Sequence, residues 1–159
     1  MLADYDADGR LDLVVTQSGG RTRLFRNNKA KPGLRVRLVG GKLNPDAIGS
    51  AARLHFGQAP DATSSTWREW QLGSGYGSQD GLAKVLATPK PPSAIEVRWP
   101  SGKTTRTSLP AGLTEITLTP HGNILEPQTQ SFSSTQLTRP TIPLMDHTMG
   151  PRLNNTLTP

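Results

Sequence analysis

The chain contains no cysteine among its 159 residues, which excludes disulfides, thiolate metal centres and a cysteine nucleophile together. It also lacks any run approaching the roughly 18 consecutive apolar residues of a membrane-spanning helix. The first thirty residues show no basic start followed by an apolar stretch and a small-residue cleavage site, so no signal peptide is read there. Apolar residues make up only 33% and charged residues only 19%, while 16 Gly and 14 Pro supply nearly a fifth of the chain. That mixture favours short strands and many turns over long helices. The length suits one ordinary domain with additions, since domains commonly run to about 100–150 residues.

Charge of one sign is missing from long stretches. The net charge of +6 conceals an acidic end: residues 1 to 12 hold four Asp and one Arg, and the rest of the chain is strongly basic. Between Arg21 and Lys42 there are eight basic residues and no acidic one. A polyanion partner is one reading of that stretch. The plainer reading is that Arg21, Arg23, Arg35 and Arg37 form the solvent faces of two strands whose other positions are Leu24, Val36 and Leu38. The plainer reading is preferred and nucleic acid is not expected as a partner, because no aromatic interleaving or nucleic-acid motif accompanies the charge.

Alternation and β-branched content predict strands at 11–16, 22–27, 34–39, 51–56, 66–72, 84–87, 94–99, 104–109 and 114–119. Breakers separate them, among them Lys31-Pro32-Gly33, Gly40-Gly41, Pro100-Ser101-Gly102 and Pro110-Ala111-Gly112. No helix is predicted, and regular strand spacing of this kind reads as an all-β sandwich or barrel. From residue 120 the composition turns to Thr, Ser, Pro, Gln and Asn, with six of the prolines in the last forty residues. A disordered tail is expected over 120–159, because such a segment buries too little apolar surface to offset its ordering entropy.

The densest motif is Asp4-Tyr5-Asp6-Ala7-Asp8-Gly9-Arg10-Leu11-Asp12. Carboxylates at alternate positions of a tight loop converge on one point, and a hard cation such as Ca2+ wants six or more oxygen ligands at about 2.3–2.6 Å. Asp4, Asp6, Asp8 and Asp12 offer carboxylates, and Arg10 offers its backbone carbonyl. Gly9 sits at the sharp turn, where a residue able to adopt positive φ is favoured. An EF-hand is excluded, since loop position twelve is Val15 rather than Glu and Leu11-Asp12-Leu13-Val14-Val15 reads as a strand. Four carboxylates in nine residues repel one another without a counter-ion.

This loop, followed by Leu24-Phe25-Arg26-Asn27, resembles an FG-GAP/VCBS repeat. The resemblance implies half of a β-propeller blade over 1–28 and a calcium site at Asp4, Asp6, Asp8, the Arg10 carbonyl and Asp12. A two-stranded hairpin is marginal alone in water, so this piece is expected to need other blades or to lean on the domain behind it, and Met1 is expected to be a truncation point or the start of a fragment. After a linker at 29–33, residues 34–119 resemble the ASPIC/UnbV domain. The resemblance rests on Leu34-Arg35-Val36-Arg37-Leu38-Val39-Gly40, on Asn44 with Ala47-Ile48-Gly49-Ser50, on Gly73-Ser74-Gly75-Tyr76 with Ser78-Gln79, and on Val97-Arg98-Trp99-Pro100-Ser101-Gly102-Lys103. Ser50 stands where the family usually has Ala, and 83–88 lacks the expected Phe-Gly-Leu-Gly stretch. The combined order is similar to the ends of cartilage acidic protein-like proteins, which implies an extracellular or cell-envelope setting, a protein, matrix or glycan partner, and a fragment of a larger propeller protein.

Of the tryptophans, Trp99 precedes a Pro-x-Gly turn and reads as core. Trp67 and Trp70 lie three apart and point to opposite faces of a strand, so at least one is a candidate for exposure. Together with Tyr76 they are the candidates for sugar stacking, the alternative to a protein-binding or adhesive role. Gly73-Ser74-Gly75-Tyr76-Gly77-Ser78 lacks the pattern of a phosphate loop, and Ser74 lacks a nucleophile-elbow frame. His55, His121 and His147 have no metal-ligand spacing. The expectation is therefore a non-catalytic, calcium-binding, all-β module.

Overall fold

A computed structural model describes residues 1–57, 63–73, 75 and 78–125. Met1–Gln128 form one compact unit, and the second unit, Thr129–Pro159, lies outside the described residues. The tail reading therefore falls outside them from residue 126 onward. Among the described residues the secondary structure is all β: β1 Leu2–Ala3, β2 Asp12–Val15, β3 Arg23–Phe25, β4 Leu34–Leu38, β5 Ala51–Phe56, β6 Thr63–Ser64, β7 Arg68–Glu69, β8 Lys84–Leu86, β9 Pro92–Arg98, β10 Thr104–Ser108, β11 Glu115–Leu118 and β12 Ile124–Leu125. None of the described residues forms a helix able to cross a membrane.

Two sheets make the main body. One runs β12-β11-β4-β8, with β11 parallel to β4, and the other runs β10-β9-β5-β6, with β7 also pairing β5. Their inner faces are set by period-two alternation. Leu34, Val36 and Leu38 of β4 and Ile116 and Leu118 of β11 meet Ala52, Leu54 and Phe56 of β5 and Ile95 and Val97 of β9 in one buried cluster. A sandwich of two such faces is the stable way to hide both apolar sides. Trp99 closes the cluster, its indole N–H donating to Thr105 Oγ1 at 2.8 Å, so its core role is as expected.

Of the predicted strand at 66–72 only the two residues of β7 are strand, with β6 lying just before it. Trp70 is the cause. Its backbone N–H donates to the Ser50 carbonyl and its carbonyl accepts from the Gly49 N–H, both at 2.8 Å. The ring is 1% exposed, and its indole N–H satisfies the Leu82 carbonyl at 3.1 Å. Trp67 remains on the outer surface. β1, β6 and β12 lie outside the predicted strands, because two-residue strands leave no period to read.

The outward face of β5 and β9 is polar yet tightly tied. Arg53 and Glu96 sit opposite each other in register, as do His55 and Ser64. Arg53 Nε donates to Glu96 Oε2 at 2.9 Å, and His55 Nε2 meets the same oxygen at 2.8 Å. The carboxylate can only accept, so His55 carries a proton on Nε2, and its Nδ1 pairs with the Ser64 hydroxyl at 2.8 Å. The Arg53 hydrogen bond, opposed by desolvation and aided by His55, holds the Glu96 carboxyl below its ordinary range. A depressed carboxyl pKa contributes stability above the unfolded value and loses it as pH falls through the folded value. Glu96→Gln is therefore expected to lower the melting temperature by about 2–5 °C at pH 7, with the gap to the parent closing as pH falls below the usual carboxylate range. Thermal unfolding of both proteins across that pH series checks it.

Candidate metal centre

The third sheet, β1-β2-β3, is antiparallel and carries the acidic loop between β1 and β2. Ala7 and Gly9 adopt positive φ, 59° and 80°. These left-handed residues reverse the chain twice and turn alternate carboxylates inward. At Gly9 an added Cβ would also press on Pro32 and the Gly33 carbonyl at 3.2 Å, so the loop sits against the linker. The Gly33 N–H donates to the Gly9 carbonyl at 2.9 Å.

Asp4, Asp6 and Asp8 each place a carboxylate oxygen within 4.8 Å of the others. Two oxygens each about 2.3–2.6 Å from one ion lie at most about 4.6–5.2 Å apart, so this spacing fits a single calcium ion. Asp4 is buried at the base, its oxygens accepting the Asp8 N–H at 3.0 Å and the Gly9 N–H at 3.1 Å. Burial pushes the Asp4 carboxyl up, against the lowering effect of the Gly9 N–H and the Arg35 charge. Desolvation also pushes Asp8 upward, but hydrogen bonds from the Arg10 side chain and backbone, with the Arg10 and Arg26 charges, hold it below its ordinary value.

Asp12 has a different place from the other three. It is 1% exposed, with Oδ2 accepting the Tyr5 N–H at 3.2 Å and Oδ1 the Asn27 N–H at 2.8 Å. It pins the ends of the loop to β3 and stands outside the three-carboxylate group. The Arg10 side chain turns onto Asp8 at 2.9 Å and donates from Nε to the Ala30 carbonyl at 2.7 Å.

Arginines from three segments neutralise the loop. Arg26 Nε lies 2.7 Å from Asp6, Arg10 Nη1 is on Asp8, and Arg35 Nε of β4 is 3.6 Å from Asp4 while its Nη1 reaches Glu115 of β11 at 3.2 Å. Arg26 is more than half exposed, so its pair is largely screened by solvent. Part of the basic stretch at 21–42 is thus a counter-charge for the acidic end. The sequence held that signal in the juxtaposition of an acid-only and a base-only segment. Within the stretch, Val36 and Leu38 are buried as expected, whereas Leu24 is exposed.

Among the sugar-stacking candidates, Trp67 is 37% exposed, with the Arg53 and Arg98 guanidinium carbons 4.6 and 5.3 Å from its ring centroid. Trp70 is in the core, and Tyr76, like Ser74, lies outside the described residues.

Together these features define a two-sheet, all-β module with a three-stranded sheet and a carboxylate loop abutting it. The sequence pattern of the ASPIC and UnbV family matches residues 40–124, more than half of the chain, and the chain belongs to that family. The match starts just beyond β4 and takes in the whole β10-β9-β5-β6 sheet. Comparison with curated proteins and with solved structures found no match.

The two kinds of aspartate predict different phenotypes. Asp12→Ala leaves two backbone N–H groups unpaired and is expected to cost about 1–3 kcal/mol with or without calcium. Asp6→Ala is expected to change stability by less than about 0.5 kcal/mol in chelator and to matter only when calcium is present. Urea denaturation of both variants in chelator and in calcium separates the roles.

Proposed function

We propose that this chain is a non-catalytic calcium-binding module in which an FG-GAP/VCBS-type loop is joined to the ASPIC/UnbV domain. The observation that carries this reading is the convergence of Asp4, Asp6 and Asp8 oxygens within 4.8 Å, on a loop turned by two positive-φ residues. Asp4, Asp6 and Asp8 would hold the ion, with the Arg10 carbonyl as a further oxygen ligand and Asp12 fixing the loop ends. Calcium supplies a charge that relieves the repulsion within the loop, so its binding is linked to folding of this segment. Its role is architectural.

Leu2, Leu13 and Phe25 are cross-strand neighbours on the three-stranded sheet, and all three are exposed. An open row of apolar side chains supports the reading that this sheet packs against further sheets of a propeller. On that reading the module serves an extracellular or cell-envelope protein of the cartilage acidic protein-like kind and contacts a protein or matrix component. Micromolar or weaker calcium affinity suits such a setting.

Calorimetric titration of calcium into the chelator-stripped chain tests the reading. Saturable binding of about one ion per chain, at micromolar to millimolar affinity, is expected for the parent and is expected to vanish in the Asp6→Ala, Asp8→Ala double variant. Binding that survives in the double variant, or no heat in the parent or in a longer chain with preceding blades, would overturn it.

A further inference from the structure

On the outer side of the β10-β9-β5-β6 sheet, beside Trp67, a cavity of about 300 Å³ opens between the β6–β7 region and β8. Its walls include Trp67, Arg68, Glu69, Gln71, Asp80 and Lys84. We propose that this cavity binds one acidic saccharide unit, a uronate or sulfated sugar, with the Trp67 ring as the stacking platform and Lys84 and Arg68 as the ligands of the anionic group.

The platform is already oriented. Trp67 is held by guanidinium groups of two neighbouring strands, Arg53 at 4.6 Å and Arg98 at 5.3 Å from its centroid, and over a third of it remains open to solvent. Cation–π contacts of this kind fix a ring without burying it, so stacking a sugar ring on it costs little side-chain entropy. The volume lies at the lower end of the range for small-molecule sites, about 300–1,000 Å³, and suits a single ring.

Lys84 supplies the case for an anion. It is only 8% exposed, and its hydrogen bond to the Gln71 carbonyl is long, at 3.5 Å. Burial lowers its pKa, the Asp80 charge offsets this in part, and Arg68 pushes it lower still. Such an ammonium gains when a carboxylate or sulfate enters beside it. Asp80 accepts the Leu2 N–H at 3.0 Å, and Glu69 on the same wall can accept from sugar hydroxyls. An apolar ligand would strand these charges. A single-stranded nucleic acid would need successive aromatic platforms, whereas Trp70 and Trp99 are buried.

The test uses the full chain in calcium-containing buffer, titrated with trigalacturonate, a heparin-derived tetrasaccharide, neutral cellotetraose and oligothymidylate, and followed by tryptophan fluorescence and calorimetry. The expected result is saturable binding of at least one acidic sugar with a change in Trp67 emission, at least tenfold weaker in Trp67→Ala and in Lys84→Met, and at least tenfold weaker for cellotetraose. Arg68→Gln is expected to weaken binding as well, and it replaces Lys84→Met should that variant fail to fold. Several outcomes would overturn the proposal: no binding of either acidic sugar at millimolar concentration, equal binding by the parent and the variants, cellotetraose as tight as the acidic sugars, or oligothymidylate as tight as the acidic sugars. The last would mean polyanion attraction alone.

Discussion

The structure depends first on the alternation along β5. Ala52, Leu54 and Phe56 face inward and enter the common core, while Arg53 and His55 face outward. A one-residue slip would exchange the two sets. The outward set is therefore a register lock as well as a surface: Arg53 and His55 share one oxygen of Glu96 on β9, and Ser64 of β6 meets the other ring nitrogen of His55. Sheet pairing brings these groups together across 41 to 43 positions of sequence. The same face then carries Trp67, so the geometry that secures the core also presents the stacking ring beside the cavity.

The second constraint is electrostatic. Three carboxylates drawn to one point are unstable unless something positive joins them. The chain answers from three directions, with Arg10 inside the loop, Arg26 at the end of the hairpin and Arg35 in the sandwich. Arg35 lies between Asp4 and Glu115, and its buried Nε has no hydrogen bond of its own. The acidic loop is thereby coupled to β4 and β11, the parallel pair at the centre of one sheet. The linker adds a steric tie, since a Cβ at Gly33 would collide with the Leu86 carbonyl. The hairpin thus leans on the sandwich through charge and backbone contact, while its own apolar row stays open.

Periodicity was informative wherever a strand is long and has one buried face. The expected 34–39, 51–56 and 94–99 match β4, β5 and β9 within two residues at each end. It misled where packing overrides local preference. Trp67 and Trp70 lie in what reads as one strand, but only Arg68–Glu69 between them pairs with β5, while Trp70 is buried in the core and Trp67 stays partly exposed. The acidic loop was legible because its carboxylates are sequence neighbours, with a spacing that carries its own geometry. The Ser64–His55–Glu96–Arg53 chain and the Trp67–Lys84 cavity carry no such signal, since their members are joined only by strand pairing.

By itself, the sequence determined the all-β class, the inner faces of the long strands and the convergence of Asp4, Asp6 and Asp8. Each follows from spacings of two to four residues that the backbone converts directly into direction. Tertiary structure alone decided which tryptophan is exposed, which arginines answer the acidic loop, that Asp12 is a fastener apart from the carboxylate group, and that Lys84 lies nearly dry beside a cavity. Those outcomes depend on desolvation and on contacts between distant strands, and neither is defined until the sheets have met.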